Sequence, residues 1–173
     1  NAPAGLTETA EQGDSESRSL IETWHGKGRN RYVITPRFAI SCSAGQLIAA
    51  GRLHEQYPDT YIQTHLSENK DEIDNTLSLF PDCRDYLEVY ERAGLVTDRS
   101  VFGHCIHLSD SECRRLAESS SVVAHCPTSN LFLGSGLFDM QQANRIGMQT
   151  VLATDVGAGT SFSLLRTMGE SYK

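Results

Sequence analysis

Three side chains that can bind a metal each follow a short apolar run. His65, His104 and Asp155 come at the ends of segments whose β-branched and aromatic residues are typical of buried strands. Parallel strands of a (β/α) barrel all end at one face, where imidazoles and carboxylates can hold a metal that activates water for hydrolysis. A catalytic zinc usually has three or more protein ligands, so this chain shows only part of such a set.

Each of these residues also has a structural interpretation. Glu68 lies three residues beyond His65, where a carboxylate could transfer protons beside a metal-bound imidazole, or could simply lie in a solvated loop. His104 could be a satisfied core histidine, and Asp155 could be a helix N-cap or turn residue. On an extended strand His107 would point away from His104, so these two should not chelate one ion together.

Two further residues could contact a substrate. Arg37 and Phe38 follow the first strand-like run, and they could hydrogen-bond and stack on a polar heterocycle. A surface arginine beside a core phenylalanine is the alternative. We interpret residues 125–130 as a polar loop. His25 and His54 look like helix-surface residues and receive no role.

The elements that must position these residues alternate regularly. The mean strand spacing of about 30 residues agrees with the roughly 31 residues per unit of a (β/α)₈ barrel of about 250 residues. The pattern predicts an α/β fold with a parallel sheet and flanking helices, the late strands of a partial (β/α)₈ TIM-type barrel. Five units cannot close that barrel, and a smaller open α/β sheet is the alternative. The strand-like segments are Tyr32–Thr35, Tyr61–Thr64, Val101–Gly103, Val122–Ala124 and Val151–Ala153.

Local signals mark several helix ends. Residues 15–25 form an amphipathic pattern, and capping sequences begin at Ser43 and Ser109. Gly94 and Gly147 lie where left-handed glycines end helices.

Composition narrows the class of protein. The net charge of −7 and the absence of a Lys/Arg cluster disfavour nucleic-acid binding, and no apolar run approaches the roughly 20 residues of a membrane span. Five cysteines without a C-x-x-C pair, together with no visible signal peptide, favour a cytoplasmic location. Because the chain begins at Asn1 rather than Met, we expect a processed chain or a fragment.

Several motifs between residues 35 and 157 resemble the amidohydrolase superfamily, and within it the guanine deaminase family. This resemblance implies hydrolytic removal of the 2-amino group of guanine, giving xanthine and ammonia, in purine catabolism. It also implies one zinc ion at the mouth of a distorted barrel. The motifs are Thr35-Pro36-Arg37-Phe38, Gln63-Thr64-His65-Leu66-Ser67-Glu68, Gly103-His104, Cys126-Pro127-Thr128-Ser129-Asn130-Leu131, Gly134-Ser135-Gly136 and Thr154-Asp155-Val156-Gly157.

The resemblance implies a role for each candidate residue. His65 and Asp155 would ligate zinc and, with Glu68, lie against the substrate. Glu68 would be the proton shuttle, and Asp155 would deprotonate the attacking water. His104 would orient the attacking hydroxide or the tetrahedral intermediate. The purine would be contacted by Arg37 and Phe38.

One departure from the family is large. The family also uses a His-x-His motif at the end of its first barrel strand, and no His-x-His occurs in these 173 residues. We therefore expect residues 1–173 to be one partial barrel domain, without the first strands and the small β-domain. A homodimer is implied for the complete enzyme. The alternatives are a related amidohydrolase that deaminates or dehalogenates another heterocycle, and an inactive fragment that acts as an assembly partner.

The missing histidines lead to a prediction for the isolated chain. We expect it to bind zinc weakly and to convert little or no guanine, because part of the ligand set is absent. Elemental analysis together with a guanine-to-xanthine absorbance assay tests this expectation. Metal-dependent xanthine formation by the purified 173-residue chain would contradict it.

Overall fold

Five parallel strands, hydrogen-bonded in chain order, form the one sheet in the computed structural model, which describes residues 3–173. A helix or helix pair follows each strand, so every connection is a β-α-β crossover. The strands are β1 (Val33–Ile34), β2 (Tyr61–Leu66), β3 (Ser100–His104), β4 (Val122–His125) and β5 (Gln149–Leu152). The helices are α1 (Ala10–Trp24), α2 (Ala44–Gln56), α3 (Lys70–Leu79), α4 (Tyr86–Arg92), α5 (Asp110–Glu118), α6 (Pro127–Leu133), α7 (Met140–Ile146) and α8 (Leu164–Tyr172).

The two faces of the sheet differ in burial. In β2, Ile62 and Leu66 are buried while Tyr61 and Gln63 are exposed. The buried face joins a core that includes Phe102 of β3 and many helix residues. Alternate burial along a strand means that helices cover one face and leave the other open, as in a segment of a barrel. The predicted α/β fold with late barrel strands and flanking helices is confirmed.

Helix starts follow the capping signals. Ser43 and Ser109 accept hydrogen bonds from the third residue of α2 and α5, as predicted. The first helix begins earlier than predicted, at Ala10, because Thr9 forms a capping box with Gln12.

Two local predictions are wrong. Residues 127–133 form α6 rather than a polar loop, since Pro127 occupies the first helical turn and the polar side chains that follow it are buried. His25 and His54 are not helix-surface residues. His25 accepts a hydrogen bond from the Tyr32 backbone N–H, and His54 is buried against Thr60.

Within residues 3–173, no helix combines the length and apolarity that crossing a bilayer would require.

The contact between α2 and the end of α4 gives a stability prediction. A Cβ on Gly51 would lie 1.7 Å from the carbonyl oxygen of Ala93, so the helix backbones touch there. We expect Gly51→Ala to lower the free energy of unfolding by about 1–3 kcal/mol through overpacking. Gly45→Ala in the same helix is the control, because its Cβ would meet nothing closer than 3.8 Å. Urea denaturation should show Gly45→Ala unchanged or up to about 1 kcal/mol more stable; equal effects at both glycines would contradict this account.

Candidate active site

His65, His104 and Asp155 meet at the carboxyl edge of the sheet. His65 is the fifth residue of β2, His104 ends β3, and Asp155 follows β5 by three residues. One potential ligand atom from each lies within 4.8 Å of the others. The two imidazole rings stack with their centroids 5.2 Å apart. The structure therefore brings together the three residues that the strand pattern singled out.

His65 is fixed by a backbone carbonyl of the preceding β-α unit. Its Nδ1 lies 2.7 Å from the Arg37 carbonyl oxygen, which also accepts the His65 backbone N–H. A carbonyl oxygen can only accept, so Nδ1 must carry the proton and Nε2 keeps its lone pair. The Tyr90 hydroxyl donates to the His65 carbonyl at 2.8 Å and accepts from the Ala39 N–H, which ties both segments to α4.

His104 lies between two carboxylates. Its Nε2 is 3.8 Å from Oε2 of Glu68 and 3.9 Å from Oδ2 of Asp155. Its Nδ1 lies 2.9 Å from Oδ1 of Asn130, on α6. Only 2% of the His104 side chain is exposed, against 32% for Asp155. The ring is therefore held from the core, and its outer nitrogen faces both acids.

The backbone is strained around these residues. Of the five non-glycine residues with positive φ in the part of the chain that the structure describes, four flank the site: Ser67, His104, Cys105 and Asp155. A left-handed conformation costs roughly 1–2 kcal/mol for such residues. The left-handed conformations turn the chain sharply at the strand ends, where side chains must point into the site. The strain is the energetic cost of these turns.

Glu68 is held from two sides. The hydroxyl of Ser135 donates to Oε1 of Glu68 at 3.2 Å, and the backbone N–H of Glu68 donates to the carboxylate of Glu72 at 2.9 Å. Glu72 is buried and accepts a further hydrogen bond from the Tyr86 hydroxyl. His107 contacts the Ser135 carbonyl at 2.8 Å and lies outside the ligand cluster. The second carboxylate oxygen of Glu68, Oε2, faces His104.

A cavity of about 230 Å³ opens beside the cluster. Its lining includes Arg37, His65, His104 and Asp155, together with residues in or next to the strands, among them Gln63, Val101 and Cys126. The ring of Phe38 is 5.4 Å from that of His65, and the Arg37 guanidinium lies 4.6 Å over the Phe38 ring. Arg37 therefore lines the cavity, whereas Phe38 is not among the lining residues and contacts the site through the His65 ring and the Arg37 guanidinium. The guanidinium offers planar N–H donors that suit a flat polar ring.

The neighbouring thiol and imidazole are uncharged at neutral pH. Burial raises the pKa of the Cys126 thiol, which lines the cavity, to about 12. Burial lowers the pKa of His125, and the nearby His104 lowers it further. Neither group therefore adds a charge beside the three clustered residues.

Sequence reasoning missed the residues that support the site. Asn130 and Ser135 stand in motifs that carry the family resemblance, which was the one signal available for them. No sequence pattern indicates the role of Tyr90, because its hydroxyl contacts β2 only through the packing of α4 against the sheet.

Comparison with known proteins assigns the family. Residues 3–173 match the amidohydrolase family. The chain belongs to that family. It is 51% identical over its whole length to the guanine deaminase of Escherichia coli K12, of which it covers 39%. The chain thus spans about two fifths of the length of this amidohydrolase relative.

Solved structures agree with that assignment. The structure of the E. coli guanine deaminase superposes with a TM-score of 0.98 at 50% identity, covering 99% of this chain and 40% of that one. A guanine deaminase from C. acetobutylicum with bound guanine gives a TM-score of 0.93 at 34% identity, covering 98% of this chain and 41% of that one. An Arthrobacter aurescens atrazine chlorohydrolase, 18% identical with a TM-score of 0.83 over 92% and 35% of the two chains, shares the fold.

The donor set of this amidohydrolase chain fits a divalent metal. Two imidazoles and one carboxylate are the ligand types of catalytic zinc sites, and Nε2 of His65 is free to ligate. The arrangement is therefore a possible His/His/Asp metal site.

Removing the charge of one donor tests that site. We expect Asp155→Asn to weaken Co²⁺ binding to the 173-residue chain by about tenfold or more. Mutating a residue that hydrogen-bonds to a metal ligand commonly lowers metal affinity by about 10- to 100-fold, and loss of the ligand itself should lower it at least as much. Asp98→Asn is the matched control, since Asp98 is exposed and precedes β3 at the opposite edge of the sheet. Co²⁺ titration followed by visible absorption measures both, and equal affinities in the two variants would rule out Asp155 as a ligand.

Proposed function

We propose that this chain is the part of a zinc-dependent guanine deaminase that carries the acid–base and purine-binding residues. The observation that carries the proposal is the convergence of His65, His104 and Asp155 beside one cavity, with the Glu68 carboxylate 3.8 Å from His104. Two similarities support the proposal. The chain is 51% identical to the E. coli guanine deaminase, and its structure is similar to that of the guanine-bound guanine deaminase from C. acetobutylicum. The remaining ligands would come from a His-x-His segment beyond these 173 residues, which form one partial barrel domain.

A bound metal and the side chains of the site would both contribute to hydrolysis. His65 and Asp155 would hold a zinc ion, with His104 beside them, and a bound zinc lowers the pKa of water to about 7. Asp155 accepts a proton from the attacking water as its oxygen bonds to C2 of guanine. His104, at 3.9 Å from Asp155, orients that oxygen and stabilises the tetrahedral carbon.

Glu68 would complete the proton transfers. The proton that Asp155 accepts passes to Glu68, which gives it to a purine ring nitrogen as C2 becomes tetrahedral. Glu68 then takes the proton of the hydroxyl now bonded to C2 and delivers it to the 2-amino group. The bond between C2 and this nitrogen breaks, ammonia leaves, and the C2 carbonyl of xanthine remains. The 3.2 Å bond from Ser135 keeps one oxygen of Glu68 in place, and the other oxygen faces the site. General acid–base assistance of this kind contributes about 10²–10⁴ in rate.

The purine would lie against Arg37 and Phe38. The guanidinium offers several N–H donors to carbonyl and ring-nitrogen acceptors, and the phenyl ring offers a face for stacking. Arg37 lines the cavity, and Phe38 lies against His65.

Three finer features stay predictions of the same proposal. Zinc is supported by the donor types of the site. A cytoplasmic location is supported by the five cysteines, all free among the described residues. A homodimer is supported by the family resemblance.

A chimera tests the proposed activity. The segment of the E. coli guanine deaminase that matches this chain is replaced by these 173 residues, which supplies the His-x-His motif. We expect zinc-dependent conversion of guanine to xanthine, followed by absorbance. A folded, zinc-loaded chimera that forms no xanthine would refute the proposal.

Two variants of that chimera locate the chemistry. Glu68→Gln should lower kcat by about 10²–10⁴, because the amide cannot accept and release the transferred proton. Glu55→Gln should leave kcat unchanged, since Glu55 is exposed on α2. Full activity of Glu68→Gln would exclude Glu68 as the proton shuttle.

A further inference from the structure

The neutral form of His104 is selected by a neighbouring helix. Nδ1 of His104 lies 2.9 Å from Oδ1 of Asn130, in α6. Both side chains are buried, 2% and 1% exposed. An oxygen acceptor is satisfied at this distance only when the facing ring nitrogen carries its proton. The contact therefore selects between the two neutral forms of the imidazole.

Asn130 is itself immobilised. Its backbone N–H donates to the Cys126 carbonyl at 2.9 Å, and its own carbonyl accepts the N–H of Ser135 at 2.9 Å. Its Nδ2 has no partner among the described residues. The contact that its amide makes in the described structure is therefore the one to His104.

We propose that Asn130 is a positioning residue that keeps the proton of His104 on Nδ1, so that Nε2 presents a lone pair to the cavity. The proposal rests on the proposed function, because that lone pair is what a ligand or a proton acceptor in the site requires. Nε2 faces Glu68 and Asp155 at 3.8 and 3.9 Å.

His65 shows the same arrangement by another route. Its Nδ1 proton is held by the Arg37 carbonyl, a group that can only accept. Asn130 gives His104 the matching form through a side chain, so both stacked imidazoles, which line one cavity, keep a lone pair on Nε2. Acceptors behind metal-site histidines commonly set the ring nitrogen that is protonated.

NMR reads the position of the proton directly. The full 173-residue chain is labelled with ¹⁵N-histidine and studied at about pH 8.5, where a histidine of ordinary pKa is neutral. The signals of His104 are assigned by their loss in His104→Gln. We expect protonated Nδ1 and unprotonated Nε2. A protonated Nε2 in the wild-type chain overturns the proposal without any variant of Asn130.

Two substitutions separate positioning from packing. Asn130→Leu removes the acceptor at similar volume, and His104 should change to the form protonated on Nε2. Asn130→Asp keeps an acceptor and should retain protonated Nδ1. Ser129→Ala is the control, because Ser129 is buried on the same helix with no partner for its hydroxyl among the described residues. An unchanged His104 signal in Asn130→Leu overturns the proposal.

Activity of the chimera gives an independent readout. Asn130→Leu should lower kcat/KM for guanine by about 10- to 100-fold, and Asn130→Asp should retain more of it. Deamination by a wild-type chimera, combined with an unchanged tautomer in Asn130→Leu, would overturn the role of Asn130 alone. The expected tautomer change, combined with an inactive wild-type chimera, would support Asn130 and refute the proposed function.

Discussion

Parallel pairing in chain order is the constraint on which the rest of the structure depends. Each strand must be followed by a crossover, so all five strands end at one edge. Side chains that are far apart in sequence, such as His65 and Asp155, therefore meet there. The fold thus provides a common edge, and local structure at each strand end determines where each side chain points.

The orientation of the side chains at the strand ends depends on groups outside the sheet. The Tyr90 hydroxyl joins the end of β2 to the segment after Phe38, and the Glu72 carboxylate binds the backbone of the Glu68 loop. Both supporting groups are buried and arise from helices on the covered face. These supporting groups are therefore buried in the core, while the clustered side chains line the cavity.

The site also opposes the local preferences of its own residues. His104 and Asp155 have positive φ, at 67° and 46°, although neither is glycine. The roughly 1–2 kcal/mol for each is offset by the surrounding core and hydrogen bonds. A Cβ on Gly159 would lie 1.6 Å from the Thr154 carbonyl oxygen, so the loop after β5 closes tightly behind Asp155. The unfavourable backbone conformations of His104 and Asp155 are therefore maintained by packing and hydrogen bonds in the surrounding structure.

The sequence by itself determined the five strands, the parallel α/β class and which side chains lie at or near the carboxyl ends of the strands. Apolar runs, capping signals and regular spacing are local, and burial of one strand face follows from them. It did not determine α6, because buried polar residues such as Ser129 and Asn130 look like a loop in a composition-based interpretation. Nor did it determine which side chains support the site. The hydrogen bonds from Tyr90 to the His65 carbonyl and between His104 and Asn130 join residues about 25 positions apart. Only the tertiary structure decided those contacts, since they depend on how helices pack across the sheet rather than on neighbouring residues.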